Sequence, residues 1–303
     1  MSSIPRQLAT FAAVLAGLYA AGFAAGQIID PEPQHGAAAA EGHTETMNND
    51  TKTHGSDAHG AAAPDPVRGL AVAENSLQLE LDDAELVRGR SAPLRFRVVD
   101  SRGRAVRDFD IAHEKRMHLI VARRDLTGFQ HLHPTMAEDG TWSTPLRVEE
   151  AGSYRVFADF VRGGQATTLA NDLRVDGAAN LRALPAPRPT AVSDGGYDVR
   201  LDSKPARPGQ EAKLAFTITK DGAPVKTEPY LGAGGHLVAL RDGDLAFLHV
   251  HPTEAGHDDT HAGDDADAVS FAATFPTTGR YRLFLQFQHE GRVQTVAFTQ
   301  EVR

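Results

Sequence analysis

The chain has 303 residues, no cysteine and a formal net charge of −9. That length accommodates two domains of about 100 residues once tails and linkers are set aside, and the acidic balance disfavours nucleic acid, which needs a basic stripe to displace counterions from phosphate. Without cysteine there is neither a disulfide framework nor a thiolate site, so any metal must be held by histidine, carboxylate or methionine.

Residues 1–30 carry the first predicted element. Leu8 to Ile29 is a run of 22 residues without a charge, long enough for a transmembrane helix. Arg6 precedes it and Asp30 and Glu32 follow, so the positive-inside bias holds the N-terminus in the cytoplasm. The expectation is a single-pass anchor in the cell membrane with extracytoplasmic domains. A cleavable signal peptide is the competing reading, with Ala21, Gly22, Ala24 and Ala25 near the cut; both readings export everything downstream. Residues 31–66 are rich in Ala, Gly, Pro, Asp and Thr without apolar periodicity, which predicts a disordered tether. His35, His43, His54 and His59 lie along it and predict at most weak, exchangeable metal binding.

From residue 67 the texture changes to short alternating runs. Leu77 to Leu81, Leu94 to Val99, Met117 to Ala122 and Tyr154 to Phe160 read as strands, with no comparable amphipathic helix. This first repeat, 67–177, leads into a Pro-rich link at 178–195, which reads as an extended spacer. The second repeat, 196–303, restates the first: Phe96 to Val99 corresponds to Phe216 to Thr219, and Gly152 to Phe157 to Gly279 to Phe284. Evenly spaced strands with turn signals predict an all-β protein of two tandem β-sandwiches, immunoglobulin-like or cupredoxin-like. Trp142, Tyr154, Tyr281, Phe129 and Phe247 read as core or corner residues.

Histidines keep register across this duplication. His118, His131 and His133 recur as His236, His249 and His251, each pair separated by 118 positions, the last two in His131-Leu132-His133-Pro134 and His249-Val250-His251-Pro252. The Gly-x-Tyr strands are separated by 127, so the second repeat carries nine extra residues, within Gly256 to Asp267, where His257 and His261 sit among five aspartates. Like charge at that density predicts an exposed loop.

A hairpin centred between Asp125 and Leu126 sets His118 opposite His133. Period-two alternation then puts His131 on the same face as His133. Three neutral imidazoles make a half-shell for Zn²⁺ or Cu²⁺, leaving one position for a further ligand. Candidates are His113 in the preceding loop, Asp159 on the following strand and, in the second repeat, Gln286 or His289. Met117 is disfavoured because a strand turns it away from His118.

The segment His113-Glu114-Lys115-Arg116-Met117-His118-Leu119, continuing through Phe129 to Pro134, Asp139 to Trp142 and Tyr154 to Phe160, resembles a largely uncharacterised family of exported bacterial proteins. A role in copper or heavy-metal handling is suspected for that family, and the resemblance implies metal homeostasis. It covers about fifty residues of the first repeat. The second repeat departs from it, lacking counterparts of His113, Lys115 and Met117.

The expectation is a non-catalytic, membrane-tethered binder of copper or zinc for buffering, resistance or transfer, with sites at His118, His131 and His133 and at His236, His249 and His251. The alternative is a structural or adhesion module with two sandwich spacers. Enzyme chemistry is disfavoured, because no nucleophile elbow, HExxH helix or phosphate-cradling Gly loop is present. No protein partner is legible.

Overall fold

The computed structural model describes residues 67–252 and 268–303. The predicted anchor, the tether with its four histidines, and the acidic insertion lie outside the described residues. Among those described, no helix is long and apolar enough to cross a membrane, and every named element is a strand.

Each repeat is a two-sheet sandwich. In the first, one sheet orders its strands Ala73–Glu74, Leu77–Leu81, Ala92–Asp100, Trp142–Leu146 and Thr135–Met136. The other orders Glu85–Leu86, Gln165–Val175, Gly152–Arg162, His118–Arg123 and Gln130–Leu132. Leu79, Phe96, Trp142, Val156 and Leu169 fill the space between them. The second repeat sets Thr190–Val192, Tyr197–Ser203, Glu211–Lys220, Val269–Thr274 and His251–Pro252 against Phe247–His249, His236–Arg241, Gly279–His289 and Arg292–Val302. Its core holds Phe216, Phe271, Tyr281, Leu283 and Phe298. The tyrosines expected at corners are there: Tyr154 donates to Glu150 O at 2.8 Å and Tyr281 to Thr277 O at 3.1 Å, each four residues back.

A third apolar cluster lies between the repeats. All six residues of His118–Arg123 are buried, because the strand is covered on both faces. Leu119 and Val121 point into the first sandwich while Ile120 and Ala122 point out of it, onto Val238, Leu240 and Phe284 of the second. The equivalent strand does the same, sending Leu237 and Ala239 inward and Val238 and Leu240 to the joint. An apolar run without alternation is what burial on both faces produces.

The joint has approximate two-fold character. Phe129 stacks on Phe284 at 4.1 Å and 7°, and their equivalents Phe247 and Phe157 meet at 5.5 Å and 35°. Residues 68–71 wedge into the second of these contacts. Phe247 N donates to Arg68 O at 2.9 Å and Ala170 N to Ala71 O at 2.8 Å, while Arg155 caps the carbonyls of Gly69 and Leu70. Gly69 has φ of +69°, and a Cβ there would meet Phe247 at 2.7 Å and Phe157 at 2.8 Å, so only glycine fits.

The Pro-rich link is extended but does not hold the repeats apart. Arg123 Nη2 donates to Asn180 O, Arg182 N donates to Asp125, and Leu184 packs on the apolar joint. Two apolar sheet faces gain more by burying one another than a spacer would permit.

Candidate metal centre

The hairpin that carries the histidines forms in the expected register. Leu119 pairs with Leu132 and Ile120 with His131, so His118 and His133 occupy facing positions where the ladder runs out. Pro134 follows, and the chain then crosses to the opposite sheet at Thr135–Met136, which suits a residue that cannot donate to a ladder. The second repeat repeats this backbone register, with Val238 opposite His249. The side chains of His249 and His251 lie outside the described part.

His118, His131 and His133 come together, their ligand nitrogens all within 4.8 Å of one another. His118 is buried and the other two are half-buried. His118 Nδ1 stands 3.0 Å from His131 Nε2. On the far side of each ring the remaining nitrogen meets an acceptor: His118 Nε2 lies 3.1 Å from Ala112 O, and His131 Nδ1 lies 2.7 Å from Gln286 Oε1. His133 Nε2 is buried without a hydrogen-bond partner.

Burial pushes the His131 pKa down to about 3, with His118 and His133 adding repulsion and Gln286 and Asp159 offsetting part of it. His133 is pushed down to about 4 by burial, then by His118 and Lys115. These imidazoles are neutral, the form that binds metal.

Other predicted ligands fall at different distances from the trio. His113 occupies a tight turn, Ala112 to Lys115, with φ of +48° at His113 and +63° at Glu114; its ring lies 6.2 Å from that of His118 and 5.0 Å from that of His236. Asp159 faces His118 across the ladder and accepts from Thr168 at 2.6 Å, and it is not one of the three grouped residues. Met117 is 1% exposed and points into the first core, as parity required. His289 bonds Tyr197 at 2.9 Å.

One histidine of the second repeat comes close to the trio of the first. His236 lies 5.8 Å from both His118 and His131, ring to ring, and nearly parallel to His118. The equivalent histidines of the two repeats therefore meet at the joint, because each sits at the rim of the face its repeat buries. Gln286 reaches His131 across this joint, a contact that no local spacing signals. Only its register equivalence to Asp159 marked it beforehand.

The fold and the site define a class: an all-β protein of two internally duplicated sandwiches, joined face to face, with an imidazole cluster at the rim of the joint. The chain belongs to the family described as a domain of unknown function (DUF8832), whose profile matches residues 71–177 and again 190–303. No curated protein matches the sequence. Among solved structures the chain is similar to the Escherichia coli adhesin FdeC, with 15% identity over 77% of this chain and 66% of that one and a TM-score of 0.26. It is similar also to Escherichia coli alpha-2-macroglobulin, at 15% identity over 80% of this chain, with a TM-score of 0.27. A third is the Yersinia pseudotuberculosis adhesin InvE, at 12% identity over 74% of this chain and 58% of that one, with a TM-score of 0.22. The chain spans just under two thirds of FdeC and 15% of the macroglobulin. At such TM-scores these likenesses carry no argument about function.

Proposed function

We propose that the protein binds one divalent ion, Zn²⁺ or Cu²⁺, through His118, His131 and His133, as a non-catalytic metal-binding module held outside the cytoplasm. The 3.0 Å approach of His118 Nδ1 to His131 Nε2 is the observation that carries this reading. A carbonyl oxygen only accepts, so Ala112 O takes the proton of His118 Nε2. Gln286 Oε1 likewise takes the proton of His131 Nδ1. The facing nitrogens of His118 and His131 and the partnerless Nε2 of His133 fall in one group of ligand atoms. Leaving the buried Nε2 of His133 unsatisfied costs about 1–3 kcal/mol, and a cation held by the trio would satisfy it. Tetrahedral zinc with Zn–N near 2.0–2.1 Å sets its nitrogens roughly 3.3 Å apart, close to the 3.0 Å of the His118–His131 pair. The ion would be buffered, sequestered or handed on; the proposed anchor would keep this work at the membrane.

A second reading is a structural or adhesion module, with immunoglobulin-like or cupredoxin-like sandwiches as spacers. The adhesins among the similar structures fit it better than they fit metal binding.

One titration separates the readings. The full chain and a variant with His118, His131 and His133 all changed to alanine are titrated with Zn²⁺ and Cu²⁺, with circular dichroism to confirm folding. The metal reading expects the variant to lose one tight ion. Equal stoichiometry and affinity in the two proteins would leave the spacer reading standing.

A further inference from the structure

Gln286 belongs to the second repeat, yet its side chain bonds a histidine of the first. Its two amide atoms have different partners: Oε1 lies 2.7 Å from His131 Nδ1, and Nε2 donates to Thr295 Oγ1 at 3.1 Å. Gln286 and Thr295 are cross-strand neighbours, as are their counterparts Asp159 and Thr168 in the first repeat. A threonine hydroxyl bonding its strand neighbour is thus built into both halves, buried at Thr168 and exposed at Thr295.

Which nitrogen of an imidazole binds metal is set by the hydrogen bond the other makes. With oxygen toward the ring, Gln286 holds a proton on His131 Nδ1 and turns the Nε2 lone pair toward His118. With the amide reversed, Nε2–H of Gln286 would donate to His131 Nδ1, and the His131 proton would move to Nε2. That proton would then bridge to His118 Nδ1, closing the pair in a neutral hydrogen bond with no place for an ion. The same residue at the same place thus separates a metal-ready pair from a closed one.

We propose that Gln286 is a positioning residue that sets the His131 tautomer, so that the second repeat controls the metal affinity of a site whose ligands lie in the first. This rests on the metal reading above. It also gives the face-to-face joint a consequence: the site is competent only while the repeats are docked.

The test uses the full chain with Gln286→Leu, Gln286→Glu and Thr295→Val, read by zinc titration and by ¹⁵N chemical shifts of the His131 ring without metal. Gln286→Leu removes the acceptor and is expected to weaken zinc binding by about 10–100-fold, the usual effect of losing an outer-sphere partner. Gln286→Glu only accepts, so it is expected to keep the Nδ1–H tautomer and to bind zinc at least as tightly as the wild type. Thr295→Val, which releases the amide, is expected to weaken binding less than Gln286→Leu and to raise the Nε2–H population. Unchanged affinity in Gln286→Leu overturns the proposal, as does an Nε2–H tautomer in the metal-free wild type. A wild type that binds no zinc sinks the metal reading, and the ring shifts then decide separately whether Gln286 sets the tautomer.

Discussion

The two repeats share a register and differ in what they bury. In the first, Arg123 and Asp125 are almost wholly enclosed, 1% and 4% exposed, and the guanidinium also reaches Glu150, Ala151 O and Asn180 O. In the second, the equivalent Arg241 pairs with Asp244 at 17% and 43% exposure. His113 of the first repeat has Leu231 as its counterpart, in a turn of the same kind formed by Tyr230 to Ala233. Duplication supplied one scaffold twice, and the arginine of the first copy is enclosed more deeply than that of the second. The lesson is that register is inherited with the backbone, whereas burial is decided by what each copy packs against.

The sharpest way to break this comparison is to truncate the two arginines. Arg123→Ala strands the enclosed carboxylate of Asp125 and should cost about 3–5 kcal/mol, whereas Arg241→Ala removes a solvent-screened pair and should cost about 1 kcal/mol or less. Urea denaturation monitored by circular dichroism measures both. Equal losses would mean that the difference in burial has no energetic weight.

Gly69→Ala probes the wedge present in only one half of the joint. It combines a left-handed backbone cost of about 1–2 kcal/mol with overpacking against Phe157 and Phe247 of about 1–3 kcal/mol. Gly222, in the second repeat at φ of +80° with nothing near a Cβ, should show the backbone cost alone. Thermal melts of the two variants separate the terms.

A third comparison pairs His118→Ala with His236→Ala. The first should abolish the tight ion. The second should leave it, with affinity reduced by no more than about tenfold, because His236 adjoins the trio without belonging to it. Isothermal titration with zinc reports both, and loss of the ion in both variants would extend the ligand set across the joint.

Acid gives the smallest and most graded effect. The folded pKa values of His131 and His133, about 3 and about 4, lie below the unfolded value of about 6.5. The folded state therefore binds fewer protons. The stability these two residues contribute is fully present above about pH 6.5 and is lost as pH falls toward 4 and 3. Melting temperature should drop more steeply below pH 6.5 in the wild type than in the triple alanine variant. Bound metal should likewise persist below about pH 6.5, the reference histidine pKa, which zinc titration at pH 5 and 7 measures.

Much of this was legible in the residues. The duplication, the strands around Phe96, Val121 and Phe157, and the hairpin facing of His118 and His133 follow from offsets, turn chemistry and period-two alternation, which act over a few residues. The trio was readable for the same reason, since its members lie within one hairpin. Tertiary structure decided the rest. His118–Arg123 was recognisable as a strand, but an apolar run has no sign of which partner covers its second face, so the docking of Ile120 on Val238 was not written locally. The meeting of His118 with His236, the reach of Gln286 to His131 and the wedge at Gly69 all descend from that docking. They rest on contacts between residues far apart in the chain, where burial of apolar surface, and not local spacing, selects the arrangement.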